Sequence, residues 1–215
     1  MNEQIHGPHQ GMSAVSTGTP LGAGQTVVVM IHGRGATAES ILSLAPELHA
    51  DNVTFIAPQA AGNTWYPFGF MEPIQRNEPF LSSALAQIEQ LLDQIASAGI
   101  PPERTVLLGF SQGACLAGEF VARNARRYGG LIMFSGGLIG PDGTPRDYPG
   151  DLADTAVFLG CSDRDFHIPQ QRVEHSAEVL ERLGGSVTMK IYPGMGHTVN
   201  EDELNHARAI VAALR

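Results

Sequence analysis

Apolar residues recur along this chain in two alternating periods. Thr26–His32 (TVVVMIH) is an unbroken apolar run, the pattern of a parallel strand buried on both faces. Ala38–His49 follows with Ile41, Leu44, Ala45 and Leu48 at helical spacing, and Pro46 inside it predicts a kink or break. Val53–Ala57 reads as a short strand, and 58–79 as a long loop of mixed Gly, Pro and aromatic residues. Residues 80–98 carry the clearest helical period, Leu81, Leu85, Ile88, Leu92 and Ile95, and Gly99 ends it. Strands are then predicted at 104–109, 130–134, 155–160 and 187–192. Helices are predicted at 112–124, 170–183 and 200–214, with a second long loop at 135–154. Asn200 and Glu203 have the spacing of a capping box ahead of the last helix.

Alternation of strand and helix throughout implies an α/β fold. It is an open, mostly parallel sheet with helices on both faces and no separate cap domain. Such sheets gather their active sites beyond the carboxyl ends of the strands. Residues 1–25, rich in Gly, Pro, Ser and Thr, read as a flexible segment with a possible edge strand near 12–17, and 26–215 as one catalytic domain. His6 and His9 sit in that Gly/Pro-rich stretch, a poor setting for a metal-ligand geometry, so no metal site is read there.

Composition narrows the partners. The 215 residues are 43% hydrophobic and 16% charged, as in an ordinary globular chain. Thirteen basic against twenty-two acidic residues give a net charge of −9, which repels nucleic acid, and no Lys/Arg run offers an exception. No basic and apolar leader opens the chain, and no apolar run approaches the ~18 residues of a membrane span. The expectation is a cytoplasmic protein without stable membrane insertion, monomeric or homodimeric. Cys115 and Cys161 read as two buried free thiols, pointing to a reducing compartment.

Four loops that follow strands carry chemistry. Gly109-Phe110-Ser111-Gln112-Gly113 is G-x-S-x-G between an apolar strand and a helix, the context in which a sharp turn lifts a nucleophilic serine above the sheet. His197 in YPGMGHTV lies last in chain order, as the base of such a serine would. The segment Gly160–Pro169 offers two carboxylates, Asp163 and Asp165, either of which could orient the imidazole. Ile31-His32-Gly33-Arg34-Gly35 is a small-residue loop whose Arg34 amide, paired with the amide of Gln112, is expected to form an oxyanion hole. His32 is expected to order this loop and take no proton. The Arg34 guanidinium either contacts an anionic substrate group or is solvated.

These motifs resemble those of the phospholipase/carboxylesterase family of α/β-hydrolases, from about Gln25 to the C-terminus. The carriers are IHGRGA (31–36), APQA (57–60), WYP (65–67), GFSQGA (109–114), SGGLIG (135–140), DFHIP (165–169) and YPGMGH (192–197). The resemblance implies a Ser111–Asp–His197 triad and a cofactor-free ester hydrolase. In the family the acid precedes Val/Ile-Pro by two residues, which selects Asp165; a glycine three residues before the acid selects Asp163. Asp165 is preferred, because the Ile168-Pro169 helix start is the more rigid landmark. Acyl-protein thioesterases of the family usually carry Gly-Asp after the oxyanion residue, where this chain has Gly35-Ala36. HGRGA, WYP and Asn77-Glu78-Pro79 are more similar to its bacterial carboxylesterase branch. Dienelactone hydrolases use a cysteine where this chain has Ser111, and Cys115 lies one turn too far along the helix to replace it.

The two long loops would shape a shallow groove. Trp65, Tyr66, Phe68, Phe70 and Met71 on the first, with Leu138 and Ile139 on the second, could line it for short- to medium-chain acyl esters or could anchor the loops to the sheet. The expected activity is a serine carboxylesterase needing no metal or organic cofactor. Lysophospholipase or thioesterase chemistry by the same triad is the nearest alternative. A non-catalytic ligand-binding protein is the alternative of another class.

Overall fold

The computed structural model describes residues 7–22, 25–48 and 51–214. Seven strands form one sheet: β1 (Ala14–Gly18), β2 (Thr26–Ile31), β3 (Val53–Pro58), β4 (Thr105–Phe110), β5 (Gly130–Phe134), β6 (Ala156–Ser162) and β7 (Ser186–Tyr192). Their order is β1-β3-β2-β4-β5-β6-β7, with β1 antiparallel to β3 and every other pair parallel. Among the described residues the five α-helices are α1 (Ala38–Leu42), α2 (Phe80–Ser97), α3 (Gln112–Arg123), α4 (Gln170–Arg182) and α5 (Glu201–Ala212).

Alternation along β2 shows why its apolar run is unbroken. Val27, Val29 and Ile31 join the core under α2, α3 and α4, while Val28 and Met30 join the core under α1 and α5. Both faces are covered, so neither set of side chains can be polar. β7 at the far edge is largely exposed, in keeping with its mixed sequence.

Three segments depart from the sequence expectation. The helix expected over 38–49 stops at Leu42 and a separate 3₁₀ turn covers Pro46–Leu48, because Pro46 has no N–H to donate and its ring crowds the preceding turn. The loop 58–79 contains 3₁₀ turns at Ala61–Asn63 and Ile74–Asn77. The N-terminal segment forms the edge strand expected near 12–17, and the described residues before it are packed rather than flexible. β1 closes the sheet edge against β3, and the backbone N–H of His9 donates to Ser83 Oγ at 3.0 Å. The His9 ring is buried, with Nε2–H donating to the Trp65 carbonyl and Nδ1 accepting from the Ala61 amide. Composition missed this because hydrogen bonds, more than apolar area, make the attachment. His6 lies outside the described residues.

Helix α3 organises both long loops. It is buried along Gln112–Ala122, so its polar side chains must find partners inside the protein. Gln112 Oε1 accepts from the Trp65 amide at 2.9 Å and Gln112 Nε2 donates to the Tyr66 carbonyl at 2.8 Å, holding loop 58–79. Two turns along the same face, Glu119 accepts from the Ile139 amide at 3.0 Å, Arg123 Nε at 2.7 Å, Arg146 Nη1 at 3.3 Å and the Tyr148 hydroxyl at 3.1 Å, holding loop 135–154.

Candidate active site

The turn from β4 to α3 forces the serine out of the sheet. Ser111 has φ 56° and ψ −120°, a left-handed conformation that side chains rarely adopt. Its amide donates to the Phe134 carbonyl at 2.9 Å, and its carbonyl accepts from the Cys115 amide at 3.0 Å. The flanking glycines are required by space. A Cβ on Gly109 would collide with the backbone of Gly113, and one on Gly113 with the carbonyls of Ile31 and His32.

His197 meets this serine from the turn between β7 and α5. Its Nε2 lies 2.8 Å from Ser111 Oγ, and its Nδ1 lies 2.6 Å from Asp165 Oδ2. The ring packs against Phe110 and His167 at centroid distances of 4.9 Å. Asp165 Oδ1 accepts from the amides of His167 at 2.9 Å and Ile168 at 3.1 Å, and its side chain is wholly buried. Burial raises the Asp165 pKa, but the hydrogen bond from His197, the His167 amide and the His197 charge together outweigh it, so the carboxyl sits below its usual value.

The two candidate acids have separate partners. Asp163 is exposed and does not reach the imidazole; its Oδ1 accepts from the Gly194 amide at 2.7 Å, bracing the turn that carries His197. Ser162 Oγ accepts from the Gly196 amide at 3.0 Å in the same turn, where Gly194 and Gly196 take φ of 68° and 82°. Among the described residues neither aspartate pairs with Arg164.

The expected oxyanion loop lies beside the nucleophile: a Cβ on Gly33 would come within 3.5 Å of Ser111 Cβ. The amides of Arg34 and Gln112 have no acceptor among the described residues, and Gln112 opens α3, where an N–H has no partner within the helix. The Arg34 guanidinium is exposed and tethered to the backbone of loop 58–79. It donates to the carbonyls of Pro67 at 2.8 Å and Phe68 at 2.6 Å, tying the two loops together. His32 is buried, with Nδ1 donating to the Gly33 carbonyl and Nε2 accepting from the Ala60 amide; burial lowers its pKa and keeps this neutral tautomer.

Of the residues expected to line a groove, Trp65, Tyr66, Leu138 and Ile139 are 0–1% exposed and belong to the core. They anchor the loops from beneath and do not line an open groove, a correction that follows from the tethers to Gln112 and Glu119. Phe70 is likewise buried, whereas Phe68 is 42% exposed and Met71 is half-buried. Sequence reasoning missed Phe166, 95% exposed and next in the chain to Asp165. It also missed Gln112 and Glu119 as tethers. Their signal was available, as the two long polar side chains in the otherwise small and apolar run QGACLAGEFVA. Cys115 and Cys161 are unpaired, and burial pushes both thiols up to about 12, which keeps them protonated and poor nucleophiles.

The helix that follows His197 carries a buried acid. Glu203 completes the capping box with Asn200, while its Oε1 has no partner among the described residues. Burial, opposed by the Asn200 amide and aided by Asp202, pushes its carboxyl up to about 7. The folded protein therefore binds a proton more tightly than the unfolded chain, so stability falls as pH rises from about 4.5 through about 7. Glu203→Gln is expected to flatten that fall and to gain on the order of 1–3 kcal/mol at the alkaline end. Thermal melts of both proteins across this range check it; parallel curves would disprove it.

Comparison with known proteins agrees with this geometry. Residues 14–214 match the family model described as Phospholipase/Carboxylesterase. The chain is 30% identical over 208 residues to Acyl-protein thioesterase 1 of Gibberella zeae, covering 86% of this chain and 88% of that protein. It superposes on a phospholipase/carboxylesterase from Dyadobacter fermentans with a TM-score of 0.90 and 42% identity, covering 94% and 96% of the two chains. A carboxylesterase from Bacillus cereus, at 18% identity and a TM-score of 0.75 over 96% of each chain, shares the fold. This chain belongs to the phospholipase/carboxylesterase family of α/β-hydrolases.

Proposed function

We propose that the protein is a serine carboxylesterase that hydrolyses short- to medium-chain esters through an acyl-enzyme. The observation that carries this reading is the hydrogen-bonded line Ser111–His197–Asp165, at 2.8 and 2.6 Å, on a strained elbow. Ser111 Oγ attacks the ester carbonyl as His197 Nε2 takes its proton. Asp165 fixes the tautomer with Nδ1–H and stabilises the imidazolium. The amides of Arg34 and Gln112 donate to the oxyanion. The imidazolium then protonates the leaving alcohol, and water activated by the same imidazole releases the acid.

Exposed Phe68 offers a small apolar surface on the first loop, which supports short acyl groups over long ones. Among the described residues no helix is long and apolar enough to cross a membrane. The free thiols suit a reducing, cytoplasmic setting. The similarity to an acyl-protein thioesterase favours a second reading by the same chemistry, thioester cleavage.

A fluorophosphonate probe is expected to add one phosphonyl group, found by mass spectrometry on the peptide containing Ser111. A series of p-nitrophenyl esters, with an acyl thioester beside it, is expected to show kcat/KM peaking at short to medium chains. A protein that neither labels nor turns over any of them would be a binding protein.

A further inference from the structure

A cavity of about 280 Å³, with no triad residue in its lining, opens between loop 135–154, Met71 and the start of α4. Arg146, Arg172, Gln171 and His175 form its polar side, and Met71 and Pro169 its apolar side. Each of the two arginines here has a carboxylate partner: Arg146 pairs with buried Glu119 behind the wall at 3.3 Å, and Arg172 pairs with Asp142, the one carboxylate on the lining, at 2.6 Å. Both guanidinium side chains are deeply buried, 6% exposed for Arg146 and 3% for Arg172.

Their hydrogen bonds leave donors over. A guanidinium has five N–H groups. Arg172 uses Nη1 on the carbonyls of Leu138 at 2.9 Å and Gly140 at 2.5 Å, and Nη2 on Asp142 Oδ1 at 2.6 Å. Its Nε and the second hydrogen of Nη2 have no acceptor among the described residues. Arg146 Nη1 is held by Glu119, the Ile139 carbonyl and the Tyr148 hydroxyl, while its Nε is buried with no partner among the described residues. Clamping the loop therefore leaves some of these donors unused. The first turn of α4 adds to it. Pro169 supplies no side-chain cap, and the amides of Gln170 and Gln171 have no acceptor among the described residues, which leaves the positive end of a 13-residue helix at the cavity wall.

We propose that this cavity is a binding site for a small carboxylic acid in its ionised form. Asp142 identifies the chemistry. It is 89% exposed yet folded back onto buried Arg172, a tethered carboxylate where a free one would bind. The volume suits an acid of a few carbons, whose chain would lie on Met71 and Pro169. The site uses none of the triad residues. On the esterase reading, each turnover releases a molecule of this class.

The test is calorimetric titration of the full chain with succinate, and separately with inorganic phosphate, against chloride at matched ionic strength. Saturable succinate binding is expected, tighter than phosphate. Gln171→Glu places a negative charge on the wall and is expected to weaken it about tenfold. That residue is exposed at a helix start, where an acid is tolerated, so the loss would not be one of folding. Asp142→Asn removes the tethered competitor and is expected to tighten binding several-fold. Phosphonylation of Ser111 is expected to leave the affinity unchanged. Heats equal to those of chloride, phosphate binding more tightly than succinate, an affinity indifferent to Gln171→Glu, weakening by Asp142→Asn, or loss on phosphonylation would each overturn the proposal. Failure of Ser111 to label would overturn the esterase reading alone, since the titrations of unlabelled protein still decide this site.

Discussion

Ser111→Ala is expected to lower kcat on p-nitrophenyl esters by about 10⁶-fold and to abolish fluorophosphonate labelling. The loss is large because nothing nearby can substitute. Both cysteines are buried and held protonated, and a hydroxide from solvent lacks the 2.8 Å proton path to His197. The fold should survive, since the side chain's hydrogen bond is to His197 and the turn itself is held by backbone bonds to Phe134 and Cys115. The sharper control is Ser111→Gly. It removes the nucleophile and also relieves the left-handed backbone at φ 56°, so it should be as inactive as alanine yet more stable by about 1 kcal/mol. Steady-state kinetics with thermal melts measure both. Activity within a hundredfold of the wild type would remove Ser111 from the chemistry.

Asp165→Asn carries the second large effect, a loss of about 10⁴-fold in kcat. An asparagine can still accept from the His167 and Ile168 amides, so the loop should keep its shape. Its amide group would face His197 Nδ1 with hydrogen, favouring the tautomer that points N–H at Ser111 and so cannot take the proton. Asp163→Asn is the matched control. It keeps an oxygen for the Gly194 amide and should cost no more than about threefold. If the two variants exchanged their effects, the acid would be Asp163, and the His197 turn would have to sit differently from the geometry described.

The motifs bring the candidate residues together because each follows a strand, and the sheet brings strand ends to one edge. Ser111, His197 and the oxyanion loop needed no more than that. The acid was harder, because Gly160 and Ile168-Pro169 point to different aspartates, and only the turn holding His197 separates their partners. The aromatic residues of loop 58–79 were ambiguous for a different reason. A run such as WYPFGF has the same composition whether its rings face a groove or the core. The direction is set by where Gln112 receives the backbone of Trp65 and Tyr66, a contact across 46 to 47 residues of chain. The edge strand near 12–17 was legible, whereas the burial of His9 escaped because it depends on amides and a hydroxyl far away in sequence.

Gln112 and Glu119 on α3 each hold one of the loops beside the site, on the helix that begins directly after Ser111. This wiring limits how such an enzyme can diversify. A new loop of different length can be inserted only if it still presents a backbone donor to the same helix face. An unanchored loop would leave a buried glutamine or glutamate unmatched directly behind the serine. Substrate range should therefore drift through exposed tip residues such as Phe68 and Phe166, while the loop stems change together with α3 or not at all. A library intended to broaden this enzyme's range would randomise the tips and keep the two tethers fixed.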